Sequence, residues 1–180
     1  NFTNKLNDVS TLAHELGHSM HGHLAQKQNA EVYRAPLSLA ETASIFNELM
    51  LSNQLLKQLN EKEKLSFLAE KIEHVFSTIH RQIQYVSFEK KVPETLFQGK
   101  DLSRQELNKL WREEQIKLTG NVINFNLNAE RDSVWTSIPH IFHVPFYCYS
   151  YAFGNLLSFS LYAQYEKNPV SFVPRYKELL

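Results

Sequence analysis

The sequence predicts a mainly α fold, and three observations carry that expectation. Leu12, Leu16, Met20 and Leu24 recur every four residues along one side of an early segment. Leu65, Leu68, Ile72, Val75, Phe76, Ile79, Ile83 and Val86 form the strongest helix-spaced run in the chain. No convincing run alternates apolar and polar residues, the pattern of a half-buried strand. Internal repeats and low-complexity tracts are likewise missing from the sequence.

Taken in order, the first helix is expected to start at a cap on Asp8 or Ser10, whose side-chain oxygens can accept orphan backbone N–H groups, and to run to about residue 27. The polar stretch 26–29 breaks it. Val32, Tyr33 and Arg34 are expected to be extended, and a second helix starts near Pro36 or Ser38, because proline's fixed φ suits the first helical position. Leu39, Ala43, Phe46, Leu49, Met50 and Leu56 carry that helix to about residue 59. Asn60, followed by Glu61 and Glu63, restarts a third helix that ends before Pro93. After a turn at 99–103, Ser103 and Glu106 stand at capping-box spacing for a helix through about residue 117. Residues 121–132 read as irregular, Pro139 and Pro145 bracket a loop, and aromatics resume helical spacing from 146 to about 165.

The chain has 180 residues, 43% of them apolar, which is enough for one sizeable core, and residues 1–180 are expected to form a single domain. Nineteen basic residues balance nineteen acidic ones, so no global field points to nucleic acid or an anionic membrane surface. Cys148 is the only cysteine, which rules out an intrachain disulfide and suits a reducing compartment, so the cytoplasm is the expected location. No apolar run approaches the ~20 residues that span a bilayer. The first residue is Asn1 rather than Met, and the chain is expected to be a C-terminal part of a longer polypeptide.

The run His14-Glu15-Leu16-Gly17-His18 is an HExxH pattern. At about 100° per residue, His18 lies roughly 40° round the helix from His14 and Glu15 flanks both, an arrangement suited to one metal ion and one activated water. Composition alone makes such a pattern a roughly 3% event, so the five residues are suggestive by themselves. The bland alternative is a solvated polar face. Against it, Leu12, Ala13, Leu16 and Met20 would bury much of this helix, and buried imidazoles need partners.

A catalytic zinc takes three protein ligands. The metzincin pattern is excluded because positions 21 and 24 hold His21 and Leu24. Glu41, near the start of the next helix, is assigned as the third ligand, since an antiparallel partner can bring its carboxylate to the first helix. Glu48, two turns further along the same face, is assigned as the carboxylate that accepts the free N–H of a ligand histidine. His21 falls about 20° from His14 on the helical wheel and can face the same site. His23 is expected to face solvent, and His74 and His80 to be structural.

The motif run through His21, together with Leu39-Ala40-Glu41-Thr42-Ala43-Ser44 and Phe46-Asn47-Glu48, resembles the oligoendopeptidase F branch of the thimet-type zinc metallopeptidases. The stretch from Ile138 through His140, His143, Tyr147, Tyr149 and Tyr151 to Gly154 is similar to that family's tyrosine-rich segment. The resemblance implies a multi-helix zincin-type catalytic core with the HExxH on one helix and the third ligand on the next. It also implies one zinc per chain on His14, His18 and Glu41, and Glu15 as general base. It implies internal cleavage of short unfolded oligopeptides by water that the metal activates, with an N-terminal lobe outside this chain forming one wall of the channel.

Within that resemblance, His140, Tyr147 and Tyr151 are the candidate donors to the developing oxyanion, because neutral imidazole and phenol can donate there and the two tyrosines share a face at i, i+4. His143 is the alternative to His140, and Tyr149 is expected to point away. Two other readings stand beside this one. One is a related zinc dipeptidase or carboxypeptidase. The other is a noncatalytic helical peptide-binding module with structural zinc, against which the intact Glu15 argues, since a structural site needs no general base.

Overall fold

A computed structural model of the protein describes residues 6–120, 122–125 and 129–180, and every regular element among them is helical. Of the stretch expected to be irregular, residues 121 and 126–128 lie outside the described residues. The helices are α1 (Leu6–Leu24), α2 (Leu37–Ala40), α3 (Thr42–Leu56), α4 (Glu61–Phe76), α5 (Gln82–Phe97), α6 (Arg104–Thr119), α7 (Pro139–His143), α8 (Tyr149–Lys167) and α9 (Pro169–Leu179). A 3₁₀ turn (Ala25–Lys27) follows α1, a π-helical turn (Ser77–Arg81) joins α4 to α5, and a 3₁₀ segment (Ala129–Ser137) precedes α7. None of these helices is long and apolar enough to cross a membrane.

Several elements depart from the sequence-based expectation for identifiable reasons. Helix α1 already includes Leu6, so Asp8 and Ser10 lie inside it rather than capping it. Residues 32–34 are a turn and bend, not extended chain, because the Asn29 side-chain oxygen accepts the backbone N–H groups of Glu31 and Val32, each at 3.1 Å. The second helix is interrupted at Glu41, which separates α2 from α3. Pro93 lies within α5 instead of ending it: proline removes one ladder donor, but Phe88 and Val92 of the same helix are held in a core around Trp111. The loop between Pro139 and Pro145 contains α7, with Pro139 in its first turn. Helix α9 was not anticipated, although Asn168 caps it by accepting the Ser171 N–H at 3.1 Å and Pro169 opens it. The capping box of α6 forms as the spacing predicts, with Ser103 and Glu106 satisfying each other's backbone N–H groups.

The chain divides into two compact units, residues 1–75 with 153–180, and residues 76–152. In the first, Ala43 and Phe46 of α3 pack with Phe172 and Tyr176 of α9 and with Leu180, and Met20, Leu24, Met50, Leu161, Tyr162 and Tyr165 close around them. The Phe46 ring stacks on Phe172 with centroids 5.7 Å apart and lies 4.4 Å from Tyr176. Helices α1 and α3 touch at backbone distance where Gly17 sits: a Cβ there would lie 2.6 Å from the Ala43 oxygen and 2.7 Å from the Ser44 nitrogen. Only glycine allows that approach, and the motif histidines stand on either side of it.

The second unit is built on Phe88, Trp111 and Ile138, surrounded by Tyr85, Val92, Leu107, Leu110, Trp135 and Ile141. Both indoles satisfy their N–H groups, Trp111 on the Arg131 carbonyl at 3.0 Å and Trp135 on the Asn108 side chain at 2.9 Å. Buried Glu114 is compensated by Lys91 at 2.6 Å and Lys117 at 2.8 Å, as a carboxylate removed from water requires.

Candidate metal centre

Helix α1 carries His14 and His18 one turn apart, and their Nε2 atoms are 3.1 Å from each other. Oε2 of Glu41 lies 3.2 Å from His14 Nε2 and 3.4 Å from His18 Nε2. Zinc bonds of about 2.0–2.1 Å at tetrahedral angles place neighbouring donor atoms about 3.3–3.4 Å apart. The three atoms therefore already stand near the spacing one tetrahedral ion demands, and two imidazoles with a carboxylate are a donor set that zinc accepts. Among the described residues this is the one group of His, Cys, Asp and Glu side chains so spaced.

Local structure explains why Glu41 is there. It occupies the N-cap position of α3 after the short α2. The Ser44 hydroxyl reaches back to both the Glu41 carbonyl at 2.9 Å and its Oε2 at 3.0 Å. A Cβ on Gly154 of α8 would stand 3.4 Å from the Glu41 Cβ, an ordinary contact, so α8 packs close beside Glu41. Fully buried Ser158, one turn on, donates to the Thr42 carbonyl at 3.0 Å and clips α8 to the start of α3. Ser44 and Gly154 fall within the motif stretches named above but had no role assigned to them, and Ser158 carries no local signal.

Glu48, two turns along α3, places Oε1 2.6 Å from His14 Nδ1. A carboxylate can only accept, so Glu48 takes the hydrogen bond of the His14 Nδ1–H, which leaves Nε2 as the ring atom facing Glu41 and His18. Lys71 stands 3.8 Å from the other Glu48 oxygen and donates to Ser10 at 3.3 Å, a contact no sequence spacing announced. Hydrogen bonds to Glu41 and then Glu48 push the His14 pKa up to about 10, against desolvation, and His14 in turn holds Glu41 below the ordinary carboxylate range. The centre thus attracts cationic charge.

The remaining motif residues occupy distinct surroundings. The Glu15 side chain is exposed and makes no hydrogen bond or ion pair among the described residues. His21 lines a cleft of about 200 Å³ with His18, Tyr33, Arg34 and Ala40, and burial followed by the nearby His18 lowers its pKa. His23 is exposed. Neither His74 nor His80 belongs to the metal-spaced group.

In the second unit, His140, Tyr147 and Tyr151 form a cluster. His140 is parallel to Tyr147 at 6.1 Å and edge-on to Tyr151 at 5.9 Å, the two tyrosine rings are 5.0 Å apart, and the Tyr151 hydroxyl lies 3.3 Å from His140 Nε2. His143 and Tyr149 are exposed.

The family model for peptidase family M3 matches residues 1–180. The chromosomal oligoendopeptidase F of Lactococcus lactis subsp. cremoris is 37% identical over 156 residues, covering 86% of this chain and 25% of that protein. The oligopeptidase PepF of Bacillus subtilis is 32% identical over 184 residues, covering 100% of this chain and 27% of that protein. An oligoendopeptidase F homolog of Borreliella burgdorferi is 31% identical over 177 residues, covering 97% and 30% respectively. The chain thus spans between a quarter and a third of the length of these relatives. No solved structure matches it significantly.

Proposed function

This chain belongs to peptidase family M3, and on that footing we propose that it is the catalytic domain of a zinc oligoendopeptidase that cleaves internal bonds of short, unfolded peptides. The observation that carries this reading is the convergence of His14, His18 and Glu41 donor atoms at 3.1–3.4 Å beside the unengaged carboxylate of Glu15.

Zinc held by His14, His18 and Glu41 would supply Lewis acidity, polarising the scissile carbonyl and bringing the pKa of water toward ~7. The rest falls to the protein. Glu48 fixes the His14 tautomer so that Nε2 is available as a ligand. Glu15, the free carboxylate of the motif, accepts the proton of the attacking water and delivers it to the leaving amine. His140, Tyr147 and Tyr151 donate to the oxygen on which negative charge develops, a role supported by their place in the family-like tyrosine-rich segment and by their mutual contacts. The single buried Cys148 suits a reducing compartment, and the cytoplasm is part of the same reading.

The test is hydrolysis of one defined peptide by the full-length polypeptide, with and without chelator. Internal cleavage lost on chelation and restored by zinc is the expected result. Release of terminal units alone would shift the reading to a dipeptidase or carboxypeptidase, and no cleavage by zinc-loaded protein would overturn it.

A further inference from the structure

Val144, Pro145, Phe146 and Tyr147 form a tight turn closed by the Tyr147 N–H on the Val144 carbonyl at 3.1 Å. Phe146 takes φ +61, and it is the one non-glycine residue with positive φ among the described residues. With proline at the second position and a positive φ at the third, this is a turn that ordinarily takes glycine or asparagine there, because a Cβ crowds the backbone. Such strain persists only where the surroundings impose it.

The imposing group is Glu89 of α5. Its side chain is 6% exposed, and Oε1 accepts the Phe146 N–H at 2.8 Å across 57 residues of sequence. The other oxygen, Oε2, is buried without a hydrogen-bond partner. A buried carboxylate with so little compensation is costly to keep, and it was not singled out from sequence. The next residue after Phe146 is Tyr147, whose ring packs on both His140 and Tyr151.

We propose that Glu89 is a positioning residue: by pinning the left-handed turn at Phe146 it sets Tyr147 and Tyr151 against His140 for substrate turnover. This rests on the reading that those three groups act on the transition state. Glu89 does not touch the reacting atoms. Its side-chain oxygen matters here as an acceptor for one backbone N–H.

The experiment compares full-length wild type with Glu89→Ala, Glu89→Gln, the Glu89→Ala/Phe146→Gly double variant and Tyr151→Phe, reading kcat and KM separately together with folding by circular dichroism. Glu89→Ala is expected to lower kcat by about tenfold or more with KM little changed. Glu89→Gln, which keeps an acceptor oxygen, should restore most of it. Phe146→Gly should also rescue, since glycine adopts positive φ unaided. Unchanged kcat in folded Glu89→Ala, or a loss that neither Gln nor the glycine partner repairs, would overturn the proposal. If Glu89→Ala misfolds, Glu89→Leu, alone and with Phe146→Gly, takes its place: unchanged kcat in folded Glu89→Leu, or a loss that Phe146→Gly does not repair, overturns the proposal. Unchanged kcat in Tyr151→Phe alone would instead remove that donor's role, and the rescue pattern still judges Glu89.

Discussion

Glu48 accepts the Nδ1 proton of His14 across 2.6 Å, and this contact leaves His14 Nε2 facing Glu41 at 3.2 Å. On the proposed assignment, a histidine so oriented presents Nε2 to the metal without turning its ring, once that nitrogen has lost its proton. Glu48→Ala is therefore expected to weaken zinc binding by about 10–100-fold, measured by competition with a chelator of known affinity. An unchanged affinity would mean that the tautomer is set by other means.

Glu15 has no partner to share its charge among the described residues, so its removal should spare the metal. Glu15→Gln is expected to retain zinc while peptide hydrolysis falls by at least ~10²-fold. Near-normal turnover in the full-length variant would remove the general-base assignment.

Gly17 supplies the close approach of α1 to α3. In an exposed helix, alanine would be favoured over glycine by about 1 kcal/mol. Here its Cβ would meet the Ala43 oxygen at 2.6 Å and the Ser44 nitrogen at 2.7 Å, both backbone atoms that cannot swing aside. Gly17→Ala should lower the thermal midpoint and weaken zinc binding together, with overpacking costs of about 1–3 kcal/mol. A stabilised variant that binds zinc normally would show that the helices can separate without consequence.

The metal-free centre should be pH-dependent in a definite direction. The His14 pKa is raised from 6.5 to about 10, chiefly by Glu41 and then Glu48. The stabilisation it brings to metal-free protein is fully present below about 6.5 and is lost as pH rises through about 10. If zinc takes His14 Nε2 as proposed, it displaces that proton, and calorimetry at pH 8 in buffers of different ionisation enthalpy should register release of close to one proton per ion. Binding with no proton release would show that His14 is already neutral.

The Tyr151 hydroxyl lies 3.3 Å from His140 Nε2. If the phenol acts mainly on the transition state, Tyr151→Phe should lower kcat more than it raises KM. An equal or larger effect on KM would place the hydroxyl in ground-state binding instead.

What was legible in the sequence was whatever repeats within a few turns. The positions of α1, α3, α6 and α8, the capping box at Ser103 and Glu106, and the shared face of His14 and His18 all follow from 3.6-residue periodicity. Glu41 and Glu48 were legible as a pair because two turns of one helix separate them. Side-chain competition and packing were not legible: Asn29 folding its own backbone into a turn, α5 continuing through Pro93, and the π-helical turn at Ser77–Arg81. Nor were contacts that span the chain, such as Ser158 on Thr42 or Glu89 on Phe146. Gly17 stands between these cases. Its place inside the motif was plain, but the backbone it lies against was not.

Metal content tests the centre most directly. Full-length protein purified in zinc-supplemented buffer should carry about one zinc per chain by elemental analysis, and His14→Ala and Glu41→Ala should each lose most of it while remaining folded. Wild-type protein without bound metal, or variants that keep a full equivalent, would contradict the assignment of His14, His18 and Glu41 as its ligands.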